Sequence, residues 1–219
     1  MVIIEAKEIK KDYYNHKLVT PVIKGINLSI NKQDFISIVG PSGSGKTTLL
    51  YLLSGLENYT SGNITLFGQE LSSYNEKEIS NLRQNKIGFV FQFYNLIPNL
   101  NVYENVLLAT VIANKSDKNQ VEKVLEMVDM LEYKNYYPNQ ISGGMQQRVA
   151  IARALVNDPE LIFADEPIGN LDYQNGIQIM NILKKLNQEY NKTIVLVTHN
   201  EDMIKYGTRF VRIIDGVIT

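Results

Sequence analysis

No cysteine occurs among the 219 residues. Disulfides and thiolate metal sites are therefore excluded, and a reducing compartment suits such a chain. An excess of basic charge is also missing: 22 lysines and arginines stand against 23 aspartates and glutamates, a formal net charge of −1. Nucleic-acid binders usually carry a basic surplus, so no nucleic-acid partner is expected. Long apolar runs are absent too. The longest, Val106 to Ala113, includes Thr110 and falls well short of the roughly 20 residues that cross a bilayer. The N-terminal MVIIEAKEIKK lacks a basic start followed by an apolar stretch, which argues against a signal peptide. Any work at a membrane is expected to go through a separate partner. Neither internal repeats nor low-complexity tracts occur, and the length suits one large domain or a core with an inserted subdomain.

What is present alternates. Val2–Ile9, Asp34–Val39 and Ile64–Phe67 read as strands, the last after a turn at Ser61, Gly62 and Asn63. The middle, about Tyr94 to Asn157, reads mostly helical, with helices near Val102–Ala113 and Gln120–Leu131 and a third after Ser142. Strand and helix then alternate again: Leu161–Ala164, a helix over about Tyr173–Tyr190, Thr193–Val197, a short helix after Asn200, and Phe210–Ile214. This order predicts an α/β fold with a parallel sheet covered on both faces. The helical middle is expected to be an insertion, residues 94–157, into a core of 1–93 and 158–219.

Gly40-Pro41-Ser42-Gly43-Ser44-Gly45-Lys46-Thr47 matches the Walker A pattern in full, between a strand and the helical run Thr48–Leu56. Glycines let backbone amides approach phosphate oxygens, and the helix start adds partial positive charge. Lys46 supplies a point charge for the β- and γ-phosphates and Thr47 a hydroxyl ligand for Mg²⁺. By itself the loop specifies only a nucleoside triphosphate.

Leu161–Ala164 ends in two carboxylates, Asp165 and Glu166. Asp165 can hold magnesium through water, and Glu166 can polarise a water for attack on the γ-phosphate. A strand-end acid pair can equally cap a helix or face solvent in a turn. A second glycine-rich helix start, Ile141-Ser142-Gly143-Gly144-Met145-Gln146-Gln147-Arg148, lies 23 residues before Asp165, with Ser142 as N-cap. A monomer has no obvious use for two phosphate cradles, whereas a head-to-tail dimer does.

Ser142 to Arg148 resembles the signature motif of the ABC ATPases, with Ile141 for the usual leucine and Met145 at a variable position. The resemblance spans essentially the whole chain, and six motifs fall in the family order. It implies a P-loop NTPase (RecA-like) parallel-sheet core with an N-terminal antiparallel β-subdomain and an inserted helical subdomain. It makes Gln92, after the strand Ile87–Phe91, the glutamine that reaches Mg²⁺ and the attacking water. His199 resembles the switch histidine that contacts the γ-phosphate. Pro167 to Asp172 resembles the D-loop, with Ile168 for the usual threonine. Tyr13 aligns with the aromatic that stacks on adenine, with Tyr14 adjacent.

The catalytic set so implied is Glu166, His199, Gln92 and Lys46. The nucleotide contacts are Tyr13, residues 40–47 with Thr48, Ser142, Gly143, Gly144, Gln146 and Asp172, and the Mg²⁺ ligands are Thr47, Gln92 and Asp165. The implied cofactors are ATP and Mg²⁺. The implied partners are a second copy, joined on ATP binding, and an integral membrane permease on whose cytoplasmic face the chain sits. Gly88–Val106 and Gln140–Leu155 are most similar to the macrolide-efflux and lipoprotein-release subgroup, and also to the cell-division ATPase that governs wall hydrolases. A transport motor and a regulatory ATPase both fit that resemblance.

Overall fold

Ile26, Leu28 and Ile30 are buried while Asn27, Ser29 and Asn31 face solvent, the two-residue period of a strand with one face in a core. They belong to β2 (Leu18–Asn31), which pairs antiparallel with β1 (Val2–Asn15). The computed structural model describes residues 1–15 and 18–219. These form two compact units, Met1–Ile79 with Thr193–Thr219, and Ser80–Lys192.

In the first unit, β4 (Ser61–Leu66) and β5 (Gln69–Glu70) extend the antiparallel sheet in the order β2-β1-β4-β5. A second sheet is centred on β3 (Phe35–Val39), buried at every residue. It lies parallel to β8 (Thr193–Thr198) and to β9 (Arg209–Ile214), and β10 (Val217–Ile218) adds an antiparallel edge to β9. Burial on both faces is why β3 and β8 read as mostly apolar runs, broken only by the buried Ser37, Thr193 and Thr198. Helix α1 (Lys46–Leu53) follows β3 and buries Leu49, Leu50, Leu52 and Leu53.

The boundary at Ile79 falls within α2 (Glu76–Lys86). In the second unit β6 (Ile87–Phe91) and β7 (Leu161–Asp165) run parallel, from Ile87 opposite Leu161 to Phe91 opposite Asp165. The helices are α3 (Val102–Ile112), α4 (Lys118–Met127), α5 (Gly143–Leu155) and α6 (Tyr173–Gln188). Helix α5 is the hub, touching α3, α4, α6 and β6. It buries Val149, Ile151, Ala152 and Leu155, the residues whose spacing predicts the helix.

The fully buried Asn105 fixes the loop ahead of α3. Its side chain accepts from the Ile97 N–H at 2.7 Å and donates to the carbonyls of Ile97, Leu100 and Asn101 at 3.1, 2.9 and 3.0 Å. One side-chain amide thus stands in for the backbone partners that an irregular segment lacks. Asn105→Leu keeps the volume but strands those groups, so chemical denaturation should show a loss of about 2–3 kcal/mol.

Candidate functional site

Parallel strands deliver their C-terminal ends to one edge, where ligands of open α/β sheets bind. In the first unit Val39 pairs with Thr198, so the glycine-rich loop that begins at Gly40 and the exposed His199 leave adjacent strands side by side. Gly40 is required there: a Cβ would lie 2.1 Å from the Ile213 carbonyl oxygen. Gly45, with φ 101°, is the N-cap of α1 and offers no side-chain cap, and the first turn of the helix holds no acid. The buried Ser44 hydroxyl lacks a hydrogen-bond partner. Both deficits are of the kind that phosphate oxygens satisfy. Lys46 is only 6% exposed. Its ammonium donates to the carbonyls of Gly40 at 2.9 Å and Pro41 at 2.8 Å. Thr47 and Thr48 are half-buried in the first turn.

Tyr13 lies on β1, and its hydroxyl donates to Glu57 at 2.7 Å. Burial, then that hydrogen bond, raise the phenol above its usual pKa, against an opposing contribution from the Thr48 hydroxyl.

In the second unit the pairing of Phe91 with Asp165 sets Gln92 beside Glu166. Asp165 is buried. Glu166 has a φ of 47°, a strained left-handed conformation for a residue with a side chain and a recurrent mark of functional sites. The turn after it closes with the Gly169 N–H donating to the Glu166 carbonyl at 3.0 Å. Gln92 and Asn170 exchange two hydrogen bonds: the Gln92 amide donates to Asn170 Oδ1 at 3.3 Å, and Asn170 Nδ2 donates to the Gln92 carbonyl at 3.2 Å. Gln147, fully buried on α5, ties the same two segments. Its Nε2 donates to the carbonyls of Phe91 at 3.2 Å and Pro167 at 2.7 Å.

The second glycine-rich start opens α5. Ser142 is exposed and accepts from the Met145 N–H at 3.3 Å. Gly144 packs beneath Asn175, where a Cβ would meet Asn175 Oδ1 at 2.5 Å. Asn175 is anchored to Asp172, the N-cap of α6, through its N–H at 2.9 Å and its side chain at 2.6 Å. Those bonds, the backbone one first, hold the Asp172 carboxyl below the usual range. Gln146 turns inward and donates to the carbonyls of Pro138 and Ile141 at 3.0 and 3.3 Å, so its side chain shapes the turn that precedes the helix.

Within the first unit residues 40–48 lie beside His199, with Tyr13 on β1; within the second, Gln92 lies beside Asp165 and Glu166, and the 142–146 turn opens α5. Four residues that motif reading did not assign take part. Glu57 holds Tyr13, Asn170 holds Gln92, Gln147 joins the loops after β6 and β7, and Arg153 donates to the carbonyls of Tyr94 and Asn95. Burial lowers the pKa of that guanidinium. Gln147 and Asn170 lie inside the motif stretches Ser142–Arg148 and Pro167–Asp172 without a role assigned there, whereas Glu57 and Arg153 lie outside them, and long-range polar partners leave no period or spacing in a sequence.

The ABC transporter family profile matches residues 23–169. Among curated proteins, the lipoprotein-releasing system ATP-binding protein LolD of Cytophaga hutchinsonii is 42% identical over 99% of this chain and 98% of its own. The macrolide export ATP-binding/permease protein MacB of Syntrophobacter fumaroxidans is 43% identical over all of this chain and 31% of its own length. Among solved structures, the ATP-binding cassette MJ0796 from Methanocaldococcus jannaschii, in a dimeric post-hydrolysis state bound to ADP and Pi, superposes with a TM-score of 0.89. It is 38% identical, over 98% of this chain and 96% of that one.

Removing the Gln147 amide leaves two buried carbonyls unpaired and a cavity. Gln147→Ala should therefore lower stability by about 2–3 kcal/mol in chemical denaturation.

Proposed function

The chain belongs to the ABC transporter family and is one of its ATPases, and from that premise we propose that it is the motor of an export or lipoprotein-handling complex. Two copies close on ATP and drive a separate membrane subunit. The observation that carries the reading is the register of β6 against β7, which sets Gln92 beside a strained Glu166 at one sheet edge.

In this reading residues 40–48 cradle the triphosphate. Lys46 exchanges its loop carbonyls for phosphate oxygens, and the Ser44 hydroxyl gains its missing partner. The hydroxyl of Thr47 in the first unit, and the carboxylate of Asp165 and the side-chain oxygen of Gln92 in the second, are each hard oxygen donors of the kind that Mg²⁺ takes. The ion would supply charge neutralisation at the β- and γ-phosphates. Glu166 accepts the proton of the attacking water, Gln92 orients that water, and His199 meets the γ-phosphate. The 142–146 turn of the second copy closes over the nucleotide, with Ser142 and the amides of Gly143 and Gly144 as donors and Asp172 at the shared face. The dimeric ADP and Pi state of MJ0796 supports this arrangement. Hydrolysis then removes the bridge between the copies.

For the membrane partner, Phe93 and Ile97 are exposed large apolar residues. They flank Tyr94 and Asn95, which Arg153 holds. Arg153 also lines a groove of about 280 Å³ with Arg83, Gln84, Phe91, Ile112 and Asn157. That surface suits a short helix of a permease. A relative named as both ATP-binding and permease protein supports such a coupling. Among the described residues no helix is long and apolar enough to cross a membrane.

Glu166→Gln should keep ATP binding but lose turnover roughly 10²- to 10⁴-fold, as for loss of a general base. Light scattering should then show an ATP-dependent dimer, and phosphate release at the native rate would remove Glu166 from this role. Lys46→Ala should weaken ATP about 100-fold in calorimetry, the scale of a lost charge-assisted contact.

A further inference from the structure

Helix α1 begins at the phosphate loop, and four residues beyond its end comes Glu57. The chain between is firmly set: the N–H groups of Leu56 and Glu57 both donate to the Tyr51 carbonyl, at 2.9 and 3.2 Å. The Glu57 carboxylate is the centre of a small polar cluster. One oxygen accepts from the Tyr13 hydroxyl at 2.7 Å and the other pairs with the Lys11 ammonium at 3.0 Å. The ammonium also donates to the Asn58 carbonyl at 2.7 Å and stands 4.9 Å from the centre of the Tyr13 ring. The ion pair is sheltered, with the Lys11 and Glu57 side chains 14% and 25% exposed. Tyr14, the neighbouring candidate, is 67% exposed, against 41% for Tyr13.

We propose that Glu57 is a positioning residue that, with Lys11, locks the Tyr13 ring as the stacking platform for the nucleotide base. The inference rests on the reading of this chain as an ATP-binding motor with Tyr13 at the base. A tyrosine has two side-chain torsions; tying its hydroxyl to Glu57 restricts the first, and because the phenol oxygen lies on the axis of the second, it is the Lys11 ammonium over the ring that resists its turning. Lys11 covers one face of the ring through a cation–π contact, leaving the other to the base. The Thr48 hydroxyl, in the first turn of α1, offsets part of the rise in the Tyr13 phenol pKa. The same short helix therefore carries the phosphate loop at one end and, just beyond the other, the group that holds the platform.

The test is calorimetry on the full chain with Mg²⁺, using ATP and inorganic tripolyphosphate as ligands. Glu57→Ala and Tyr13→Phe should each weaken ATP about five- to tenfold, the scale of one ordinary hydrogen bond. The double variant should be no weaker than either, because both remove the same contact. Glu57→Gln, which keeps an acceptor oxygen, should recover most of the affinity. Tripolyphosphate, which has no base, should bind all of them as it binds the native chain. An equal loss for both ligands in Glu57→Ala would show a general structural role and overturn the proposal. So would unchanged ATP binding in Glu57→Ala when Tyr13→Ala weakens it about tenfold, the worth of one stacked base; the platform would then stand without its clamp. Unchanged ATP binding in Tyr13→Ala would remove Tyr13 from the base and the proposal with it. Failure of the native chain to bind ATP while tripolyphosphate binds would instead strike the ATPase reading itself.

Discussion

Hydrogen bonding between parallel strands places the phosphate loop, His199, Gln92, Asp165 and Glu166. A parallel ladder aligns the strands in one direction, so their C-terminal ends finish together and the residue after each strand emerges at a shared edge. Val39 opposite Thr198 does this for the phosphate loop and His199, and Phe91 opposite Asp165 does it for Gln92 and Glu166. A slip of one residue in either pair would turn the strand's side chains to the opposite face. The apolar content of β3, β7 and β8, buried at every position, resists such a slip, because any other register would put charged flanking residues into the core.

On that frame, side chains far apart in sequence hold the loops still. Gln147 grips the backbone after both β6 and β7, Asn170 returns the hold of Gln92, and Asn105 and Arg153 secure the segment from Tyr94 to Asn101. Each contact places a donor against a backbone carbonyl that an irregular segment leaves without a regular partner. The loops are thereby fastened by a few side-chain hydrogen bonds, each worth about 1 kcal/mol net.

Elements with a one-sided or unbroken apolar pattern were legible in the sequence. Ile87–Phe91 is found with the expected bounds, and the helix over Val102–Ile112 starts where expected because Asn101 and Glu104 form a reciprocal cap. Helix α2 has only Ile79 and Leu82 as apolar residues and buries neither, which leaves too little period to read. The first strand was expected to stop at Ile9 and in fact continues to Asn15. Its outer half is exposed and polar, and it is held by pairing with β2, a partner that local pattern does not reveal. The site divides in the same way. Glycine-rich loops and strand-end acids announce themselves through fixed spacing. Glu57, Gln147, Asn170 and Arg153 act through contacts that only the fold creates, and Tyr13 and Tyr14 were alike until the fold gave one of them a partner.

The burial of Lys46 has a kinetic and entropic side. A free lysine side chain carries about 2 kcal/mol of rotamer freedom. Here much of that freedom has already been surrendered on folding, because the ammonium is seated against the Gly40 and Pro41 carbonyls. An arriving anion swaps one set of oxygen partners for another and has little left to order. Such preorganisation leaves more of the contact energy to appear as affinity. An anion leaving such a seat would hand the charge back to the same carbonyls, which hold the ammonium in place without it.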